Sequence, residues 1–503
     1  MQTRRGVLAR IATLVATVAL ALGIAVPALA AGATEGTLTV GGTVEAGAVS
    51  TVYKVVDANY DADGNFTGYT WNAKVKDFVA GYENGKFNDV QAFAKANADE
   101  VTTFYDTLAS AVKRASDPLQ LDVAATVTGA NTASAKLAGG SYLMVTVGTK
   151  NVYRTVGFNM DDKGVVSDKT VDVKSTTPGI EKDFSKPDQL VGLQVGDTVG
   201  FKLVSDVPVY PANAVAKNFW ISDALPEGIT LDAASIKVYG VVSDAKADTL
   251  TAGDQYTLDV TTADKQVANH SGDNVSFLVK LDADKVRQYK SVRVEYNGTI
   301  NSKIKIDVDG NTNTAKLEYS NNPFDGSSWN VEPSEEKVYS FGVNVYKVDA
   351  ANQDKKLTGA QFELYRGAKA EGTAIAFTGA SGVYTVAEAG AAGATTALDT
   401  DADGKISISG LGAGTYTLKE TKAPEGYNGK GKTFEVKLTD DNNDGKLDNG
   451  VNNTNVAEVT VPNTQGFELP TTGGMGTMLF TGAGVVLVGG GLALIARRGR
   501  SER

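Results

Sequence analysis

The stretch from Phe341 to Asp349 reads FGVNVYKVD, and its alternation is that of a β-strand with one buried face: Phe341, Val343, Val345 and Lys347 point the same way. A lysine at the end of an apolar row needs a partner inside the core. Two later stretches repeat the pattern with polar residues that could meet it. YTLKET places Tyr416, Leu418 and Glu420 on one face, and VAEVTVPN places Val459, Val461 and Asn463 on one face. A lysine, an acid and an asparagine are thus directed into one strand-built core.

The same test applied upstream finds a second set. GIEKDF groups Ile180, Lys182 and Phe184; NFWISD groups Phe219, Ile221 and Asp223; AKLEYSN groups Ala315, Leu317, Tyr319 and Asn321, with Asn322 on the opposite face. Elsewhere, runs of Val, Ile, Thr and Tyr are separated by Gly, Asn and Asp turns, so the chain is read as mainly β. One exception is DVQAFAKANADEVTTFYDTLASAVKR, where Phe93, Val101, Phe104, Leu108 and Val112 recur at helical spacing and predict one helix.

Both ends carry apolar runs. Arg4, Arg5 and Arg10 precede the run Ile11 to Val26 and the small-residue sequence Ala28-Leu29-Ala30, the build of a secretory signal cut after Ala30. Met475 to Ala496 holds no charge and is followed by Arg497, Arg498, Arg500 and Arg503, so a transmembrane segment with a cytoplasmic basic tail is predicted. The first thirty residues and everything after Thr472 together hold seven of the 48 basic residues and one of the 59 acidic ones, which leaves the exported part at −17. Such a charge gives no basis for holding nucleic acid. With no cysteine, disulfide bracing is excluded, and the single histidine, His270, argues against histidine-based catalysis or a histidine-rich metal site.

Between these ends, about 440 residues suggest three domains. The divisions predicted are 1–30 signal peptide, 31–176 β-rich domain with an inserted helix, 177–337 and 338–466 β-sandwiches, and 467–503 sorting signal, transmembrane segment and basic tail.

LPTTG at Leu469 to Gly473, set before the terminal apolar run and basic tail, resembles a cell-wall sorting signal. YTLKETKAPEGY at Tyr416 to Tyr427 is similar to a glutamate-containing box, and KLEYSNNP at Lys316 to Pro323 to the end of a middle domain, of the sortase-assembled major pilins of Gram-positive bacteria. That resemblance implies tandem immunoglobulin-like, collagen-adhesin-type β-sandwiches and a structural role with no cofactor. It implies sortase cleavage between Thr472 and Gly473, with Leu469 and Pro470 in the recognition motif. The implied partners are a pilin-polymerising sortase, a housekeeping sortase, further copies of this chain, a tip or base pilin, and peptidoglycan; no host ligand is indicated. The alternative is a wall-anchored adhesin that does not polymerise.

Burial would lower the pKa of Lys347 and raise that of Glu420, so that the neutral amine attacks Asn463 and the acid shuttles protons. An intramolecular Lys347–Asn463 isopeptide bond with loss of ammonia is expected, and likewise Lys182–Asn321 with Asp223, Asn322 being the second choice of acceptor. A buried salt bridge with a hydrogen-bonded asparagine is the other reading of each set. The family's Tyr-Pro-Lys linkage motif is absent, since Tyr210-Pro211 is followed by Ala212. Lys174, outward-facing next to Val171 and Val173, is the expected acceptor for Thr472, with Lys163, Lys169 and Lys186 as alternatives. DTDADGKISI and DDNNDGKLDN lack a glutamate at the twelfth position of a calcium loop, and no metal site is predicted.

Overall fold

The computed structural model describes residues 35–114, 117–129, 134–186, 192–211 and 214–466. The signal segment and the sorting motif with Leu469, Pro470, Thr472 and Gly473 lie outside the described residues. The transmembrane expectation is corrected: among the described residues no helix is long and apolar enough to cross a membrane. The longest, Ala98–Lys113, is an amphipathic element packed into the first domain, and Met475 to Ala496 lies outside the described residues.

The protein is mainly β, built as successive layered sheets with an early helical insertion. In the first part, Phe66–Trp71, Val49–Tyr60, Gly140–Val147 and Val156–Asn159 form one sheet, to which Val123–Thr128 adds by pairing with Val49–Tyr60. Lys169–Val173, Glu35–Gly42 and Ser134–Ala138 form a second sheet. Nearly every residue of Gly140–Val147 is buried because the strand is covered on both faces. Tyr142 and Met144 pack with Leu38, Val40 and Val171 of the second sheet, while Leu143 and Val145 pack with the helices around Phe104.

The single helix predicted over 89–114 is two helices, Val90–Ala94 and Ala98–Lys113. The break has a local cause. Asn97 adopts an extended backbone, accepts a hydrogen bond from the Glu100 amide, and receives the Glu100 side chain on its own amide, so it starts a new helix. Phe104 then sits against Trp71, Phe93 and Tyr82 at ring separations of 4.8–5.5 Å.

The next two sheets face each other. One orders Ile180–Phe184, Thr198–Asp206, Ser291–Ile300, Ile229–Ser243 and Lys246–Thr249; the other orders Tyr256–Val260, Phe277–Leu281, Phe219–Ala224, Asn311–Tyr319 and Asn330–Val338. This sandwich and the first part belong to one compact unit. A second unit comprises, of the described residues, 192–197, Ile300–Asn311 and 338–466. Its sandwich pairs a six-stranded sheet containing Lys405–Leu411, Phe341–Asp349 and Val456–Gln465 with a four-stranded sheet containing Gln361–Arg366, Gly414–Lys422 and Thr433–Leu438. Leu193 and Val195 hydrogen-bond to Tyr339 and Gly410 and are buried there, which is why 192–197 belongs to this unit despite its place in the sequence.

Candidate functional site: two buried lysine clusters

In the C-terminal sandwich, Phe341–Asp349 and Val456–Gln465 run parallel and adjacent, with Lys347 opposite Val461 and Asp349 opposite Asn463. Residues two apart on neighbouring strands share a face, so Lys347 and Asn463 both enter the core, each 0% exposed. The Lys347 amine donates to the Val461 carbonyl at 2.9 Å. Glu420 arrives from the opposing sheet, also 0% exposed, and accepts from Asn463 Nδ2 at 2.6 Å. Burial, against the opposing pull of Glu420 and with a smaller push from Lys432, holds the Lys347 amine down at about 8. A lysine near 8 has a usable fraction of neutral, nucleophilic amine.

Gly429 closes this cluster and has no signal in strand periodicity. A Cβ there would stand 2.2–2.5 Å from Asn463 Nδ2 and Oδ1 and from Glu420 Oε2. The loop is held by Gly431 N–H on the Glu420 carbonyl and Glu420 N–H on the Lys432 carbonyl. Only a residue without a side chain lets this backbone lie on the asparagine and acid.

In the middle sandwich, Lys182 and Asp223 are paired by a short hydrogen bond, with both side chains sealed from solvent. Lys182 Nζ also donates to Tyr296 Oη at 2.9 Å. Burial lowers the Lys182 pKa and raises that of Asp223, against the attraction between them, which favours the neutral amine with the neutral acid.

The structure does not bring Asn321 to this pair. The strand Asn311–Tyr319 ends two residues before it, so the alternation extrapolated from Tyr319 stops. Its carboxamide instead donates to the carbonyls of Gly148 and Thr149 and accepts from Ser328 Oγ and the Asn322 amide. Asn321 therefore helps hold the 148–150 loop, as Tyr319 does by donating to the Lys150 carbonyl at 2.7 Å. Asn322 caps the following turn through the Phe324 amide.

Asn313 occupies the place expected for Asn321. It is 0% exposed, and its Nδ2 donates at 2.8 Å to Tyr296 Oη, the same oxygen that receives Lys182. Its Oδ1 accepts no hydrogen bond. The signal lay in the sequence: the row Ala315, Leu317, Tyr319 continued one step toward the N-terminus reaches Asn313.

Lys174 lies exposed between Lys169–Val173 and Ser175–Thr176, with Val171 and Val173 buried beside it. Its carbonyl accepts from the Arg154 amide, leaving the side chain outward. Lys163, Lys169 and Lys186 are exposed as well, and Lys169 Nζ donates to the Asn159 carbonyl. In the acidic loops, Asp401 and Asp440 accept backbone amides of the turns that follow them, the usual work of aspartate between strands. Among the described residues, no group of three or more His, Cys, Asp or Glu side chains is placed to hold a metal ion.

Comparison with known proteins agrees with this architecture. Residues 341–453 match the SpaA family, a prealbumin-like fold domain, and residues 461–503 match the LPXTG cell wall anchor motif. The trypsin-resistant surface T6 protein of Streptococcus pyogenes serotype M6 is 25% identical over 423 residues, covering 68% of this chain and 72% of that protein. Fimbrial subunit type 1 of Actinomyces viscosus is 25% identical over 361 residues, 63% of each. The solved structure of the T6 backbone pilin of serotype M6 Streptococcus pyogenes superposes with a TM-score of 0.60 at 18% identity, over 86% of this chain and 98% of that one, and so shares the fold. With its successive β-sandwiches and its C-terminal anchor motif, the chain is a structural, cell-wall-anchored pilus subunit homologous to the sortase-assembled major pilins of Gram-positive bacteria.

Proposed function

We propose that this chain is the shaft subunit of an adhesive pilus in which Thr472 of one copy is joined to Lys174 of the next, and in which two internal isopeptide bonds brace each subunit. The braces are Lys347 to Asn463, with Glu420 as proton shuttle, and Lys182 to Asn313, with Asp223. A pilin-polymerising sortase cuts after Thr472 and transfers it to the lysine; a housekeeping sortase moves the finished polymer to peptidoglycan. A three-domain division at 31–176, 177–337 and 338–466 fits this reading, each brace tying the first strand of a sandwich to one of its last. A tip or base pilin would complete the assembly.

The observation that carries the reading is that each sandwich buries one lysine completely, beside one carboxyl group and one asparagine whose Oδ1 has no hydrogen bond. A merely structural ion pair would leave the carboxamide oxygen satisfied, because an unpaired buried acceptor costs about 1–3 kcal/mol. Conversion to a secondary amide removes a buried ionisable amine from each core and yields a chain lighter by two ammonia molecules. Intact-mass and tryptic peptide spectrometry of wall-released polymer test it. The expected branches are 182–313, 347–463 and 174–472; a monomer of encoded mass with unbranched peptides would overturn the reading.

A further inference from the structure

The two clusters are wired differently. In the C-terminal sandwich the asparagine nitrogen reaches the acid directly, Asn463 Nδ2 to Glu420 Oε1 at 2.6 Å. In the middle sandwich the acid is an aspartate, one methylene shorter, and its hydrogen bonds go to Lys182 and Tyr296. Asn313 Nδ2 has Tyr296 Oη as its partner at 2.8 Å, and Lys182 Nζ lies 2.9 Å from that oxygen on the other side. The phenol stands between the nucleophile and the group that must leave.

We infer that Tyr296 is a catalytic residue of the Lys182–Asn313 reaction, relaying a proton between the Asp223 side and the departing amide nitrogen. The inference rests on the reading of that bond given above. The balance is simple. Neutral Lys182 Nζ attacks Asn313 Cγ, the Nζ–Cγ bond forms, the Cγ–Nδ2 bond breaks, and ammonia leaves. One proton must travel from Nζ to Nδ2. As Cγ becomes tetrahedral Nδ2 turns into a basic amine; the Tyr296 hydroxyl turns its proton onto it and is reprotonated from the neutral Asp223 carboxyl, and the carboxylate so formed takes the proton from Nζ. Nothing is oxidised or reduced, and both side chains end as they began.

The surroundings suit the role. Tyr296 is buried and stacked on Phe201 at 5.3 Å, with Phe277 edge-on at 4.9 Å, so its hydroxyl is fixed by ring packing on both sides. Burial above all raises the phenol pKa well above its ordinary value, keeping the proton on oxygen until it is needed. The Glu420 cluster has no phenol in its hydrogen bonding with Asn463, since the longer acid spans the gap itself.

The test is the Tyr296→Phe variant of the full chain, made beside wild type by cell-free synthesis and sampled over time for the 182–313 and 347–463 branched peptides. Phenylalanine keeps the ring contacts and removes only the hydroxyl. Positioned acid–base groups contribute about 10²–10⁴-fold, so the 182–313 bond should slow by at least about 100-fold while 347–463 forms at the wild-type rate in the same molecules. Replacing Tyr296 with 3-fluorotyrosine keeps ring, hydroxyl and packing but makes the phenol more acidic. It should change the 182–313 rate and its pH profile alone, which a packing role leaves unmoved. Wild-type rates at 182–313 in both variants overturn the role of Tyr296 and leave the bond intact. A wild-type chain without the 182–313 branch overturns the bond itself.

Discussion

Replacing Glu420 by glutamine removes a proton carrier and almost nothing else, because the two side chains have the same length and the site is closed to solvent. Asn463 Nδ2 would still find an oxygen at the position now 2.6 Å away, but an amide cannot exchange protons with the attacking amine. The chain should therefore keep one ammonia and lose the covalent tie between Phe341–Asp349 and Val456–Gln465. That tie closes a loop of about 115 residues, for which chain entropy gives about 5 kcal/mol at 25 °C. With a urea slope of about 1–3 kcal/mol/M, the midpoint of the C-terminal sandwich should fall by about 2–5 M. The assay is intact mass on the same sample used for urea unfolding followed by tyrosine fluorescence. The rate of linking in wild type carries a second signature. Lys347 is held near 8 and reacts as the free amine, so linking quickens as pH rises toward about 8 and levels above it. A Glu420→Gln chain of wild-type mass would refute the assigned role of the acid; an unlinked chain with an unchanged midpoint would refute the energetic argument.

Three further outcomes follow from the geometry. Gly429→Ala places a methyl within 2.2–2.5 Å of the Asn463 carboxamide and Glu420, and should leave most of the chain one ammonia heavy while the 182–313 bond forms normally, read by intact mass and peptide mapping. Asn313→Ala should abolish the 182–313 branch, whereas Asn321→Ala should keep it and instead expose the 148–150 loop, seen as faster amide exchange there, because its contacts to Gly148 and Thr149 are lost. Lys174→Arg keeps the charge without a usable amine, so cells carrying it should show wall-attached monomer and no high-mass ladder; an unchanged ladder would move the linkage to Lys163, Lys169 or Lys186.

Alternation along single strands was enough to send Lys347, Glu420 and Asn463 inward, and Lys182 and Asp223 likewise, since side-chain direction in a strand is a local property with a period of two. Caps are local too: the Asn97 and Glu100 spacing that splits the helix is written in ANADE, though apolar spacing alone ran across it. The placement of LPTTG before an apolar run was similarly a matter of order along the chain. Where a strand ends is another kind of question. Asn321 and Asn313 both continue the row Ala315, Leu317, Tyr319, and nothing in that row says which end leaves the sheet. The tertiary structure decided it, by pairing Phe219–Ala224 with the strand from Tyr319 back to Thr314 and turning Asn321 toward the 148–150 loop. Tyr296 and Gly429 were hidden for the same reason. Each matters only through atoms brought from strands or loops distant in sequence, and contact between such segments is set by how two sheets stack, not by the periodicity of either one.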